Sequence, residues 1–187
     1  MLKADLRKIY LNKRKALSTD EVVSFSAAIF KNFKHNFLLN SEMKVHIFLP
    51  ISKFNEINTK PFIEELLRSN IRVFVPRVNG EEQETVEITE KTIFALSNWG
   101  VEEPFGEVSP ISNFDYVLVP LVYCDKIGNR IGYGKGYYDR FFKKISQTKK
   151  VGLSIFTPNE LVSNPYEDDV LLDYLVTSTE VLSFANS

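Results

Sequence analysis

Apolar residues near the start of the chain recur at helical steps. Leu2, Leu6, Ile9, Tyr10 and Leu17 predict a helix over residues 3–17. Ser18-Thr19-Asp20-Glu21 then has the spacing of a capping box, a hydroxyl at the N-cap and a carboxylate three residues on. The helix it predicts carries Val22, Phe25, Ile29, Phe33 and Phe37 on one face. Residues 44–49 (KVHIFL) form a β-rich run closed by Pro50. Asn58 or Thr59 can cap a third helix running to about Arg68, with Phe62, Ile63, Leu66 and Leu67 inside. Strands are predicted over residues 71–75, ended by Pro76, and over 85–89, where apolar and polar positions alternate. Residues 116–119 (YVLV) are apolar throughout, as in a strand covered on both faces. A helix is expected from about Lys135 to Ile145, and short strands over 151–155 and 174–176. Strands alternating with helices define an α/β fold, a three-layer α/β/α arrangement around a mainly parallel sheet. Ligands of such sheets sit beyond the C-terminal ends of the strands, which singles out the loops after Leu49, Val75 and Val119.

Composition narrows the class. The 187 residues fit one domain spanning 1–187, with no repeat or low-complexity linker to divide them. With 44% hydrophobic and 25% charged residues, a chain of this length builds a core without a disulfide or metal staple. A net charge of −1 provides no global field for nucleic acid or anionic membrane. The first residues are too charged for a signal peptide, and no run approaches the roughly 18 apolar residues of a membrane span. One cysteine, Cys124, cannot form an internal bridge and fits a reducing, cytoplasmic compartment as a small buried hydrophobe. His35 and His46 have no Cys or His partner at metal-ligand spacing, and His46 is expected to be a satisfied core residue. One local charge cluster stands out: Lys3, Arg7, Lys8, Lys13, Arg14 and Lys15 against the single acid Asp5. A solvated helix face explains it as readily as an anion site.

The segment DYVLVPLVYCDKIGNRIGYGKGYYDRFF, residues 115–142, carries the chemistry. A buried strand leads into a loop with glycines at 128, 132, 134 and 136, and the loop opens a helix. Glycine permits positive φ and close backbone approach, so successive N–H groups can turn inward on an anion. The helix N-terminus adds partial positive charge. Arg130 and Lys135 supply full charges, Asp139 can hold a divalent cation on phosphates, and Tyr133, Tyr137 and Tyr138 offer flat surfaces for a ring. The segment is neither a Walker A loop nor a dinucleotide fingerprint.

GNRIGYGKGYYDRF closely resembles the signature of the 5-formyltetrahydrofolate cyclo-ligase (methenyltetrahydrofolate synthetase) family. Further matches follow in order: Lys3-Ala4-Asp5-Leu6-Arg7; Phe48-Leu49-Pro50 with Asn55-Glu56-Ile57-Asn58-Thr59; Val75-Pro76-Arg77; the turn from Asn98 through Trp99 to Pro104; and Asp169-Val170-Leu171-Leu172-Asp173.

The resemblance implies a fold related to sugar-phosphate isomerases and CoA transferases (NagB/RpiA/CoA transferase-like). It also implies an enzyme that closes 5-formyltetrahydrofolate to 5,10-methenyltetrahydrofolate, converting ATP to ADP and phosphate with Mg²⁺. On that model Lys3 and Arg7, one helical turn apart, reach the ATP phosphates together with Arg130, Gly132, Tyr133, Gly134, Lys135, Gly136, Tyr137 and Tyr138. Lys135 and Arg130 act on the transferred phosphate, and Asp139 and Asp169 hold Mg²⁺. Asp173 either assists them or is a polar strand-edge residue. Glu56 pairs with the pterin, and Leu49, Trp99 and Tyr137 supply apolar walls. Many members have arginine where this chain has Tyr133, so the cradle here carries one cation fewer. The partners implied are small molecules alone, with no nucleic acid or membrane, and a monomer or weak dimer. A phosphosugar- or nucleic-acid-binding protein on a similar scaffold is the rival reading.

Overall fold

Alternation along the strands decides which helices cover which face of the sheet. In the computed structural model of the protein, residues 1–98 and 100–184 are described. The chain opens with α1 (Lys3–Lys15) and α2 (Thr19–Asn36), enters the sheet at β1 (Lys44–Ile47), and returns through α3 (Lys60–Arg68) to β2 (Arg72–Asn79) and β3 (Glu82–Ile88). A small hairpin, β4 (Phe94–Leu96) and β5 (Glu102–Pro104), precedes β6 (Tyr116–Val119). A second hairpin, β7 (Tyr123–Cys124) and β8 (Arg130–Ile131), leads into α4 (Tyr137–Phe142), and β9 (Lys149–Leu153), β10 (Tyr174–Val176) and β11 (Val181–Ser183) complete the order.

Seven strands form the main sheet in the order β11-β10-β9-β6-β1-β2-β3. The five inner strands are parallel, and β3 and β11 close the two edges antiparallel. This is the expected α/β architecture. Val45, Ile47, Val73, Val75, Tyr116, Leu118, Val151 and Leu153 point to one face, where they pack on Ile29, Phe30 and Phe33 of α2 and Phe62, Ile63 and Leu66 of α3. The intervening Phe74, Val117 and Val119 face the other side and meet Tyr138, Phe141 and Phe142 of α4. All four residues of β6 are buried, as a strand covered on both faces requires.

Several local expectations are corrected. The capping box at Ser18 forms as predicted, with Ser18 Oγ accepting from Glu21 N at 3.2 Å and Glu21 Oε2 from Ser18 N at 2.7 Å. Thr59 sits at the N-cap of α3 but makes no side-chain cap bond there, because its buried hydroxyl donates to the Phe48 carbonyl at 2.7 Å. β2 does not end at Pro76. The Thr85 carbonyl opposite turns outward to accept Ser109 N–H at 2.8 Å. Pro76 therefore faces the flank beyond the last β1 pairing at Phe74, where its missing N–H breaks no ladder bond.

α1 buries Lys3, Leu6, Tyr10 and Arg14, while Leu2 and Ile9 are exposed, so its inner stripe is rotated from the purely apolar one expected. The reason is its seat. α1 lies at the C-terminal end of the sheet, where Leu6 and Tyr10 pack against Val122, Tyr123, Ile131 and Val162. Tyr10 and Tyr123 stack with ring centroids 4.1 Å apart. α4 spans six residues rather than the predicted eleven, since Gly136 directly before it has φ +68°, outside the helical region.

His46 is fully buried against Phe114 and Phe141, but neither ring nitrogen has a partner among the described residues. It is a core residue, not a satisfied one. Among the described residues no helix is long and apolar enough to cross a membrane.

Candidate active site

The loops that follow β1 and β6 meet α1 beyond the C-terminal ends of the parallel strands. A crevice there is lined by Arg14, Phe48, Glu56, Leu121, Ser154 and Phe156, among others. Three pieces of chain build the site around it.

The first is the glycine-rich segment. Gly128, Gly134 and Gly136 take positive φ of 92°, 85° and 68°, so three of the four glycines occupy backbone space that other residues rarely enter; Gly132 does not need it. The hairpin beneath is anchored by Asp125. Its buried carboxylate accepts N–H bonds from Ile127 (3.0 Å), the Asn129 main chain (2.9 Å), the Asn129 amide (2.7 Å) and Val162 (3.1 Å). Arg140 braces the tip from behind, donating to the carbonyls of Lys135 (3.0 Å) and Glu81 (2.5 Å). Tyr137 donates its hydroxyl to Gly80 O at 3.2 Å. Lys135 is exposed and has no ion pair among the described residues. Its ammonium is open to an incoming anion.

α1 is the second piece. Arg7 Nε donates to Gly132 O at 2.7 Å, and its guanidinium lies against Gly134, so the predicted joining of the N-terminal basic helix to the cradle occurs. Lys3 is buried and ion-paired with Asp169, and its ammonium lies 4.5 Å from the centre of the Tyr166 ring.

The third piece is residues 166–170, which place Asp169 beside the cradle. Asp139 Oδ1 takes Arg130 Nη2 at 2.5 Å and Val170 N at 3.3 Å; Asp169 Oδ2 takes Lys3 and Tyr166 N at 2.6 Å. The two carboxylates thus share one neighbourhood, each held by a cation.

Other predicted residues land differently. Tyr138 is turned into the core cluster with Phe141 and Phe142 and offers no surface to a ring; burial pushes its hydroxyl well up from the ordinary tyrosine range. Leu49 is buried with the α2–α3 core and provides little open wall. Asp173 pairs with Lys150 at 2.9 Å and accepts its N–H at 2.7 Å, at the N-terminal end of β10, away from the cradle. The strand-edge alternative is therefore the correct one. α4 is too short for a substantial helix dipole, and the positive potential falls to side chains. Trp99 lies outside the described residues.

In the lining of the crevice stands Glu56, which is 5% exposed. A 3₁₀ turn at Ser52–Phe54 and left-handed Asn55 (φ 50°) deliver it inward. Its Oε2 accepts Ile51 N at 2.7 Å and its Oε1 the Tyr133 hydroxyl at 2.6 Å. Desolvation raises the carboxyl above its usual range, opposed by Tyr133, Ile51 N–H and Arg14. Arg14, 4% exposed, donates to Phe54 O at 2.7 Å, to Leu121 O at 3.1 Å and to the Tyr133 hydroxyl. Tyr133 thus turns its side chain from the glycine-rich loop toward Glu56 and Arg14. Sequence reasoning missed Arg14 and Asp125. The only signals were that Arg14 continues the Lys3–Leu6–Tyr10 face and that Asp125 stands four residues before Asn129 in a tight loop.

An open, mainly parallel sheet with strand-end loops that gather basic side chains, glycines and two adjacent carboxylates defines the chain as an α/β protein with its candidate site at the C-terminal edge of the sheet. Comparison with known proteins makes this specific. The model of the 5-formyltetrahydrofolate cyclo-ligase family matches residues 1–178, and the chain belongs to that family. A 5-formyltetrahydrofolate cyclo-ligase of Mycoplasma pneumoniae is 31% identical over 180 residues, covering 94% of this chain and 98% of the relative. The mouse 5-formyltetrahydrofolate cyclo-ligase is 29% identical over 160 residues, covering 80% of this chain and 77% of its own. In three dimensions the chain is similar to the Aquifex aeolicus 5,10-methenyltetrahydrofolate synthetase, with a TM-score of 0.84 and 31% identity over 100% of this chain and 95% of that one.

Proposed function

We propose that this chain, acting as one catalytic unit in the cytoplasm, cyclises 5-formyltetrahydrofolate to 5,10-methenyltetrahydrofolate and converts ATP to ADP and phosphate. The observation that supports the reading is the bond from Arg7 to Gly132 O at 2.7 Å, which brings the N-terminal basic helix against the glycine-rich loop.

The chemistry needs such a site. A formamide oxygen leaves poorly, and amide resonance ties up the lone pair on N5. Transfer of the γ-phosphoryl group to the formyl oxygen breaks the bond to ADP and leaves an iminium-like carbon. N10 attacks that carbon, phosphate departs with the oxygen, and N10 loses its proton as the five-membered ring closes. Bringing N10 and the carbon together within one bound molecule is worth several kcal/mol. The protein's share is positioning and charge neutralisation. Lys135, exposed at the loop tip, meets the transferred phosphate with Arg7 beside the loop; Lys3 and Arg130, ion-paired with Asp169 and Asp139, add their charge from the same neighbourhood. Glu56 accepts N–H bonds from the pterin, for which a carboxylate has enough lone pairs even with Tyr133 and Ile51 attached.

Mg²⁺ fits the residues present. Asp139 and Asp169 are hard oxygen donors on neighbouring chain segments, and magnesium is commonly held by one or two carboxylates with phosphates and waters rather than by a protein cage. When bound, it neutralises charge on the phosphates.

The test is an absorbance assay. Protein with Mg²⁺, ATP and 5-formyltetrahydrofolate should develop the near-ultraviolet absorbance of methenyltetrahydrofolate, and should not without ATP; silence across pH and enzyme concentration refutes the reading. Lys135→Ala should lower turnover at least about 100-fold, as loss of a transition-state charge contact does, with an unchanged melting temperature. A variant that melts early would make Lys135 a structural residue.

A further inference from the structure

A carboxylate buried to the extent of Glu56 needs more than a backbone N–H to stay ionised and aimed. Its surroundings supply two further groups in series. The Tyr133 hydroxyl donates to Oε1 at 2.6 Å and in turn accepts from Arg14. Tyr133 can donate only one proton, and Arg14's donation to its oxygen leaves that proton committed to Glu56. Arg14 is itself immobile, because the carbonyls of Phe54 and Leu121 fix two other nitrogens of its guanidinium. Arg14 therefore ties together the loop that carries Glu56, the loop after β6 and the glycine-rich segment.

We infer that Arg14, acting through the Tyr133 hydroxyl, is a positioning residue for the folate: it holds Glu56 in the geometry that receives the pterin N–H groups. The inference rests on the reading of Glu56 given above. The other titratable groups that face the carboxylate are the Tyr133 and Tyr138 hydroxyls, both pushed up from their ordinary range by burial first and by Glu56's charge next. Neither competes as an anion at neutral pH. Removing the Tyr133 hydroxyl or the Arg14 charge takes away groups that pull the Glu56 carboxyl back toward ionisation, while the desolvation that raises it remains.

The experiment compares Tyr133→Phe, Arg14→Gln, Glu56→Gln and the double variant Tyr133→Phe/Glu56→Gln. For each, KM is measured separately for 5-formyltetrahydrofolate and for ATP, with the pH dependence of kcat/KM for the folate. Tyr133→Phe keeps the ring and every packing contact, so it remains informative if Arg14→Gln folds poorly. Expected is a rise in folate KM of about tenfold for Tyr133→Phe and more for Arg14→Gln, the size of a lost hydrogen bond to a charged group. ATP KM should stay within about twofold, since the phosphate cradle is untouched. The acid limb of the folate profile should move to higher pH in both variants. In the Glu56→Gln background Tyr133→Phe should add nothing. Equal rises in both KM values, or an additive double variant, overturn the inference. So does an unchanged folate KM in Tyr133→Phe when Glu56→Gln raises it; that result leaves the role of Glu56 standing. If Glu56→Gln itself leaves folate KM unchanged, the pterin assignment fails first and this inference fails with it.

Discussion

His46 sits in the middle of β1 with neither ring nitrogen partnered among the described residues, and its burial lowers its pKa from the ordinary histidine range to about 3. The sign of the consequence is fixed. Between about pH 6.5 and pH 3 the unfolded chain binds a proton at this position that the folded chain refuses, so acid favours unfolding. Stability should fall by about 1.4 kcal/mol per pH unit across that window. His46→Leu should flatten the slope and be the more stable protein at pH 5, as read by urea denaturation at pH 5 and 7.5. Equal slopes for the two proteins would show that the imidazole is protonated in the fold and partnered after all. Arg14 presents the same issue with opposite sign: a buried charge that persists because three acceptors, one of them leaning on a carboxylate, surround it. Nothing in composition distinguishes it from Lys13 and Lys15, which are exposed. Its burial follows from where α1 docks, and docking is a tertiary fact.

Which secondary structures were legible depended on length and on the partner each one packs against. The strands β1 and β6 and the capped start of α2 were readable because a nearly or fully buried strand, or a capping box, writes itself into four consecutive residues. The hairpins β4–β5 and β7–β8 were not, since strands of two or three residues carry no period. α4 was overestimated at both ends: Gly136, with φ +68°, stops it on one side, and on the other it ends at Phe142, before Lys143, Lys144 and Ile145. The β7–β8 hairpin also shows how much one buried side chain can carry. Asp125→Ala would strand three main-chain N–H groups and the Asn129 amide, and should cost about 2–4 kcal/mol in urea denaturation. A loss below about 1 kcal/mol would mean that the loop finds other acceptors. The glycine cradle was recognisable from spacing, but the direction of its side chains was not. Tyr133 and Tyr138 both turn away from the exposed tip of the loop, one to Glu56 and one into the core.

The sheet order divides the chain in two. β1, β2 and β3 come from the first half, β6, β9, β10 and β11 from the second, and within the sheet the two are joined where β1 pairs with β6. The proposed site straddles this seam: Lys3, Arg7, Arg14 and Glu56 belong to the early residues, and the cradle with Asp139 and Asp169 to the late ones. A nascent chain released after β3 would present the inner edge of β1 unpaired and α1 without its aromatic bed. Cutting the gene within the exposed stretch 106–112 should therefore yield two polypeptides that are each inert and poorly soluble alone, yet regain turnover when co-expressed. Activity in either piece by itself would show that the chemistry does not require the union of the halves.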